Sequence, residues 1–117
     1  MEAASESYCC DFPWGGVVQI SNLIAEQGKD TDNRVMINFG FEHTNPIPHP
    51  AHSFMMSNCT LKSTGVPNAT GIRIDRRYDI TILLSNVHFV GITVPVIGNV
   101  RYRDCTSNGV RIPDTMA

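Results

Sequence analysis

The sequence predicts an all-β chain of short strands that stack layer upon layer, and three observations predict it. First, five segments align on a common centre: "VVQISNLIAE" on Asn22, "RVMINFGFE" on Asn38, "FMMSNCTLK" on Asn58, "ITILLSNVHFV" on Asn86 and "VRYRDCTSN" on Asp104. Second, apolar residues alternate with period 2 up to each centre and resume one residue out of phase after it. Third, no Asn-Gly or Asp-Gly stands between two matched alternating strands; Asn108-Gly109 comes only near the end of the chain. Hairpin signals of that kind are what the competing arrangement, an antiparallel sandwich, would need.

The columns define the units. Four residues before the centre stand Val18, Arg34, Phe54, Ile82 and Val100; two before stand Ile20, Met36, Met56, Leu84 and Tyr102. One residue after stand Leu23, Phe39, Cys59, Val87 and Cys105; three after stand Ala25, Phe41, Leu61, Phe89 and Ser107. Positions −4, −2, +1 and +3 therefore face inward. A regular strand cannot change phase in this way, but two strands joined by a one-residue corner can. Asn and Asp tolerate the left-handed conformation such a corner needs. The side-chain amides of Asn22, Asn38, Asn58 and Asn86, with Asp104, are then expected to form an internal ladder, each satisfied by the next layer.

Taken in order, residues 1–16 are expected to be an N-terminal cap and residues 17–117 the stacked domain. An open stack exposes unpaired strand edges, and "CCDFPWGG" supplies bulk to cover one. Trp14 is read there as a packing residue rather than a ligand platform. "EQGKDTDNR" is a charged turn, and "HTNPIPHPAHS" and "GVPNATG" are loops rich in Pro, Gly and Asn. Ile72 and Ile74 alternate with Arg73 and Asp75 as the first strand of the fourth unit, "RRYD" turns the chain, and "ITVPVIG" opens the fifth. Asn99 could centre the last unit, but it follows Asn86 too closely for a full turn, so Asp104 is preferred. Centre-to-centre spacings are then 16, 20, 28 and 18 residues. Five layers at strand spacing would stand about 24 Å tall.

Composition narrows the function classes. The 117 residues are 42% hydrophobic and 17% charged, enough for one domain and one core. A net charge of −2 offers no electrostatic case for nucleic acid or an anionic membrane. No apolar run of membrane-spanning length occurs. The start "MEAASESYCC" lacks the basic and apolar regions of a signal peptide. Cys9, Cys10, Cys59 and Cys105 have no zinc-type spacing and read as free thiols of a reducing compartment. Sequons begin at Asn58 and Asn68; without a secretory signal they read as chance matches, and Asn58 is expected to turn into the ladder.

The column pattern, from about Val17 to Asn108, resembles the right-handed parallel β-helix of pectate-lyase-like proteins, of the phage tailspike and polysaccharide-depolymerase kind. That resemblance implies about five coils, a homo-oligomer of trimeric form, and a bacterial surface polysaccharide gripped on the side of the stack or between subunits. It implies a place in the virion, at the phage tail, for host attachment, after synthesis in the host cytoplasm. A longer β-helix tailspike chain is a further partner it implies. Relatives of this kind cleave glycosidic bonds with carboxylate pairs or act as lyases.

The residues that could carry such chemistry are few. Glu26 and Glu42 share the column four after the centre, which would set two carboxylates near 5 Å apart. Asp75 and Asp79 are further acidic candidates. His43, Arg76, Arg77, Tyr78 and His88 are the candidate sugar-binding groups. The bland reading of each, a solvated stack or a salt-bridged turn, carries more weight, and the loop histidines His43, His49 and His52 lack ligand spacing, so neither metal nor cofactor is expected. Val35, Met55 and Leu83, three before the centre, form an apolar outer strip and are the candidate oligomer interface. The expectation is a non-catalytic module that forms or binds a polysaccharide site. The alternatives are a hydrolase or lyase or a fragment of one, and a purely structural trimerisation or cap unit.

Overall fold

The computed structural model describes residues 2–3, 10–12, 17–28, 34–39, 52–75 and 80–115. Among them every regular element is a strand: β1 (Glu2–Ala3), β2 (Cys10–Phe12), β3 (Val17–Ser21), β4 (Ile24–Gln27), β5 (Val35–Phe39), β6 (Ser53–Ser63), β7 (Thr70–Ile74), β8 (Thr81–Val90), β9 (Val94–Ile97), β10 (Asn99–Arg103), β11 (Thr106–Ser107) and β12 (Val110–Arg111). The strands form two sheets. The first contains β1, β3, β4, β6, β8, β10, β11 and β12, and the second runs β2-β5-β7-β9. From β2 to β11 the chain visits the two sheets alternately, and the ladders within each are parallel. The fold is therefore all-β, as the alternation predicts.

The register of the first sheet reproduces the sequence columns. Val18 pairs with Phe54, Phe54 with Ile82 and Ile82 with Val100; Ile20, Met56, Leu84 and Tyr102 align in the same way. Beyond the corner, Ala25, Leu61, Phe89 and Ser107 stack in register. Asn22, Asn58, Asn86 and Asp104 all take the left-handed conformation, with φ of 58°, 56°, 54° and 54°. Each corner lets the strand on either side turn an apolar residue inward, so that Met56 and Cys59, or Leu84 and Val87, are both buried.

Asn38 departs from the expectation. It lies inside β5, in the second sheet, with no left-handed backbone, and it is fully buried. Its Oδ1 accepts a hydrogen bond from Arg73 Nε at 2.9 Å. Among the described residues, corners therefore recur at intervals of 36, 28 and 18 residues, and four of the five expected centres are corners. The physical reason is that a strand covered on both faces reads as a near-continuous apolar run, here Val35-Met36-Ile37 before Asn38 and Phe39 after it, and so supplies apolar residues at the positions a corner would also need. All five residues of β5 are buried. Val35 is one of them, 4% exposed, so it does not extend the outer strip of Met55 and Leu83.

The core lies between the sheets. Phe54, Ile82, Leu84, Leu61 and Phe89 from the first meet Ile37, Phe39, Ile72 and Ile74 from the second. The rings of Phe39 and Phe54 meet edge-on, 6.2 Å between centroids, and each such side chain withdrawn from water contributes about 1.5–3 kcal/mol. Buried Gln27 is satisfied across the layers, donating to Ser63 Oγ at 3.1 Å and to the Arg34 carbonyl at 3.3 Å. Gly91 closes the turn after β8 with φ of 68°; a Cβ there would run into the Ser63 carbonyl oxygen.

Within residues 1–16, β1 pairs with β4 and β2 with β5. At the other end, Asn108 and Gly109, with φ of 51° and 80°, make the tight turn between β11 and the antiparallel β12. The chain then runs back along the last layer. Ile112 N–H donates to the Cys105 carbonyl, Asp104 N–H to Asp114 Oδ1, Tyr102 N–H to Thr115 Oγ1, and Thr115 N–H to the Tyr102 carbonyl. Groups that an open edge would leave to water are thus paired within the chain.

Candidate outer-face groove

Period-2 alternation sends positions −3 and −1 of each layer outward on the half-strands before the corner. The first row is Gln19, Met55, Leu83 and Arg101; the second is Ser21, Ser57, Ser85 and Arg103. Between them lies a cleft of about 330 Å³, lined by both rows up to Leu83 and Arg103. Met55 is 43% exposed and supplies apolar surface. The serine row supplies hydroxyls, with Ser21 and Ser57 Oγ atoms 3.2 Å apart. Arg103 ends the row at the last layer. No carboxylate lines the cleft among the described residues.

The corner residues face outward as well. Asn22, Asn58, Asn86 and Asp104 are all exposed, so the ladder is external where the sequence suggested an internal one. The geometry explains this: positions −2 and +1 both point inward, which leaves −1 and 0 to point out. Asn86 Nδ2 donates to Asn58 Oδ1 at 2.8 Å. Asn86 Oδ1 is an acceptor only, so the 2.9 Å contact with His88 requires the proton on His88 Nε2. His88 Nδ1, 2.7 Å from Thr106 Oγ1, then accepts the threonine hydroxyl in the neutral ring. A polar chain of Asn58, Asn86, His88 and Thr106 thus crosses three layers beside the cleft. Asn58 is exposed at a sequon whose next residue, Cys59, is buried and whose Thr60 is half-buried.

The carboxylate pair expected of Glu26 and Glu42 depended on Asn38 as a corner. With Asn58 as the next corner, the register neighbour of Glu26 in that layer is Lys62, and on the other side it is Glu2 of β1. Lys62 Nζ stands 3.7 Å from Glu26 Oε1, both side chains being close to half exposed. A surface pair of that kind contributes no more than about 1 kcal/mol. Asp75 is buried at the end of β7, 7% exposed, away from the groove-lining rows, its N–H donating to the Phe39 carbonyl. Glu42, His43, Arg76, Arg77, Tyr78 and Asp79 lie outside the described residues. Of the sugar-binding candidates, the described one is His88. Among the described residues no three His, Cys, Asp or Glu side chains could hold a metal ion, and no helix is long and apolar enough to cross a membrane.

Ser21, Ser57, Ser85 and Arg103 were not singled out from the sequence. Their signal was present in the column just before the centre, obscured by Ile37 from the segment that is not a corner. Comparison with protein-family models, curated proteins and solved structures finds no match.

Proposed function

We propose that the two sheets are faces of a right-handed parallel β-helix, and that its outer-face groove binds a bacterial surface polysaccharide as a non-catalytic, tailspike-like module of a phage virion. The observation that carries this reading is the in-register row of serine hydroxyls running beside the apolar Met55–Leu83 strip along one cleft. A glycan presents the complementary pattern, hydroxyls along its edges and C–H faces between them, at a repeat long enough to cross several strands. Hydroxyls and amides aligned at strand spacing, about 4.8 Å, meet an extended chain without rearrangement. Right-handedness follows the strong preference of parallel crossovers.

Binding of the purified chain to an array of bacterial surface glycans tests the proposal. Ser57→Phe fills the middle of the cleft from an outward position and should leave folding intact. Glycan binding that drops at least tenfold in this variant supports the groove; unchanged binding removes it. Release of reducing ends or unsaturated sugars by the wild-type chain would favour the enzyme reading instead.

A second reading has its own observation. Met55, exposed, and Leu83, half-buried, are also what an interface between copies of the chain would bury. In that arrangement a homo-oligomer, a trimer by the resemblance, or a longer β-helix chain would occupy the same face.

A further inference from the structure

The groove is not symmetric from end to end. At its β3 end the two outward rows begin with neutral Gln19 and Ser21. At its β10 end they finish with Arg101 and Arg103, two residues apart on one strand and on the same outward face. Arg103 lines the cleft itself, and Arg101 stands in register with groove-lining Leu83. Both are exposed. Among the described residues, the acidic groups at this end are Asp104, at the corner, and Asp114, in the segment that closes the last layer. Asp104 and Asp114 both bond Arg111, at 3.3 and 3.0 Å, and Asp114 also feels the charge of Arg103. Among the described residues, the guanidinium groups of Arg101, Arg103 and Arg111 stand at this end with the carboxylates of Asp104 and Asp114, in a protein whose net charge is −2.

We infer that the groove selects an acidic glycan, one bearing a carboxylate or a phosphate ester, and that Arg103 with Arg101 receives that anionic group at the β10 end. The inference rests on the reading of the groove as a glycan site. A planar guanidinium presents paired N–H donors that match a carboxylate or phosphate, and hydrogen bonds between charged partners are about twice as strong as neutral ones. The serines and the Met55–Leu83 strip would hold the neutral part of the same chain. Because Arg101 and Arg103 follow each other on one strand, the acidic sugar is placed at one end of the site, which gives the bound chain a direction. Exposed cations also attract an anion over a range that salt shortens.

The test is a glycan array holding neutral, uronic-acid, sialylated and phosphorylated glycans, followed by titration of the best binder with wild type, Arg103→Gln, Arg101→Gln and Lys62→Gln. Lys62 is an exposed cation outside the groove and serves as the control for net charge. The expected result is that the bound glycans are acidic. Arg103→Gln should then lose about tenfold or more in affinity, Arg101→Gln less, and Lys62→Gln no more than twofold. Carboxyl reduction or phosphate removal from the glycan should reproduce the Arg103→Gln loss, and added salt should weaken binding. Neutral glycans as the best ligands, or an Arg103→Gln affinity equal to wild type, would overturn the inference while leaving the groove as a sugar site. Equal competition by poly-glutamate would also overturn it, since charge alone would then suffice. No glycan bound at all sinks both this inference and the reading beneath it.

Discussion

At Asn58 a single backbone angle does what would otherwise require a break in the strand. A φ of 56° places one residue in the left-handed region and shifts the inward face by one position. Residues with a Cβ incur a cost of about 1–2 kcal/mol there, which Asn reduces by local hydrogen bonding and Gly avoids. Asn58→Ala should therefore lower unfolding stability by about 1–2 kcal/mol, part of it from losing the acceptor for Asn86. Asn58→Gly should recover most of that loss. Urea unfolding of the two variants measures the difference; equal destabilisation would mean that the ladder bond, not the backbone, sets the cost. Asn38 shows the limit of residue identity. The same amino acid at the same apparent position is held in a buried strand by Arg73, and its backbone is ordinary.

The last layer depends on the segment after β12. Asp114 Oδ1 accepts the Asp104 N–H at 3.0 Å, and Arg111 Nη2 donates to Asp114 Oδ2 at 3.0 Å. The backbone N–H is the main cause holding the Asp114 carboxyl below the usual aspartate range, with the Arg111 guanidinium adding to it. A folded pKa below the unfolded one contributes stability that is present above the unfolded pKa, near 4, and is lost as pH falls through the folded value. Amide exchange at Asp104 and Tyr102 should therefore stay slow near neutrality and quicken progressively below about pH 4. Asp114→Asn should show the faster exchange already at neutral pH, with little further change in acid. Exchange at Asp104 that is indifferent to pH and to Asp114→Asn, after correction for intrinsic rates, would show that this clip does not hold the edge. At the other strand of the last layer, β9, Pro95 removes an N–H, as is common where a sheet ends.

For the whole molecule the state of association separates the two readings of the groove. Light scattering across a concentration series should show a species whose mass does not depend on Met55 if the groove is kept for a glycan. If the face is an interface, Met55→Glu should convert an oligomer to monomer, because the charge would be buried against the partner. A monomer that still binds acidic glycans would leave Met55 and Leu83 as part of the sugar platform. The apolar strip itself was legible from the −3 column, except for Val35. The hydroxyl row beside it was present in the letters and was not recognised as a site, because nothing in one strand shows that its neighbours carry the same residue at the same height.

The all-β class, the outward and inward columns of the first sheet, and four of the five proposed corners can be read from the letters alone. Those features are local: period-2 alternation and a residue tolerant of positive φ can be seen within ten residues. Which sheet each strand joins is settled by long-range pairing in the folded chain. That choice moved Asn38 and Val35 to the second sheet, replaced a Glu26–Glu42 pair by Glu26 and Lys62, and turned the asparagine ladder toward solvent. It also brought Ser21, Ser57, Ser85 and Arg103, spread across more than eighty residues of chain, into one line. Such alignment is set by backbone pairing between strands of distant sequence and by burial on both faces of a strand, and neither leaves a mark in the period of any one segment.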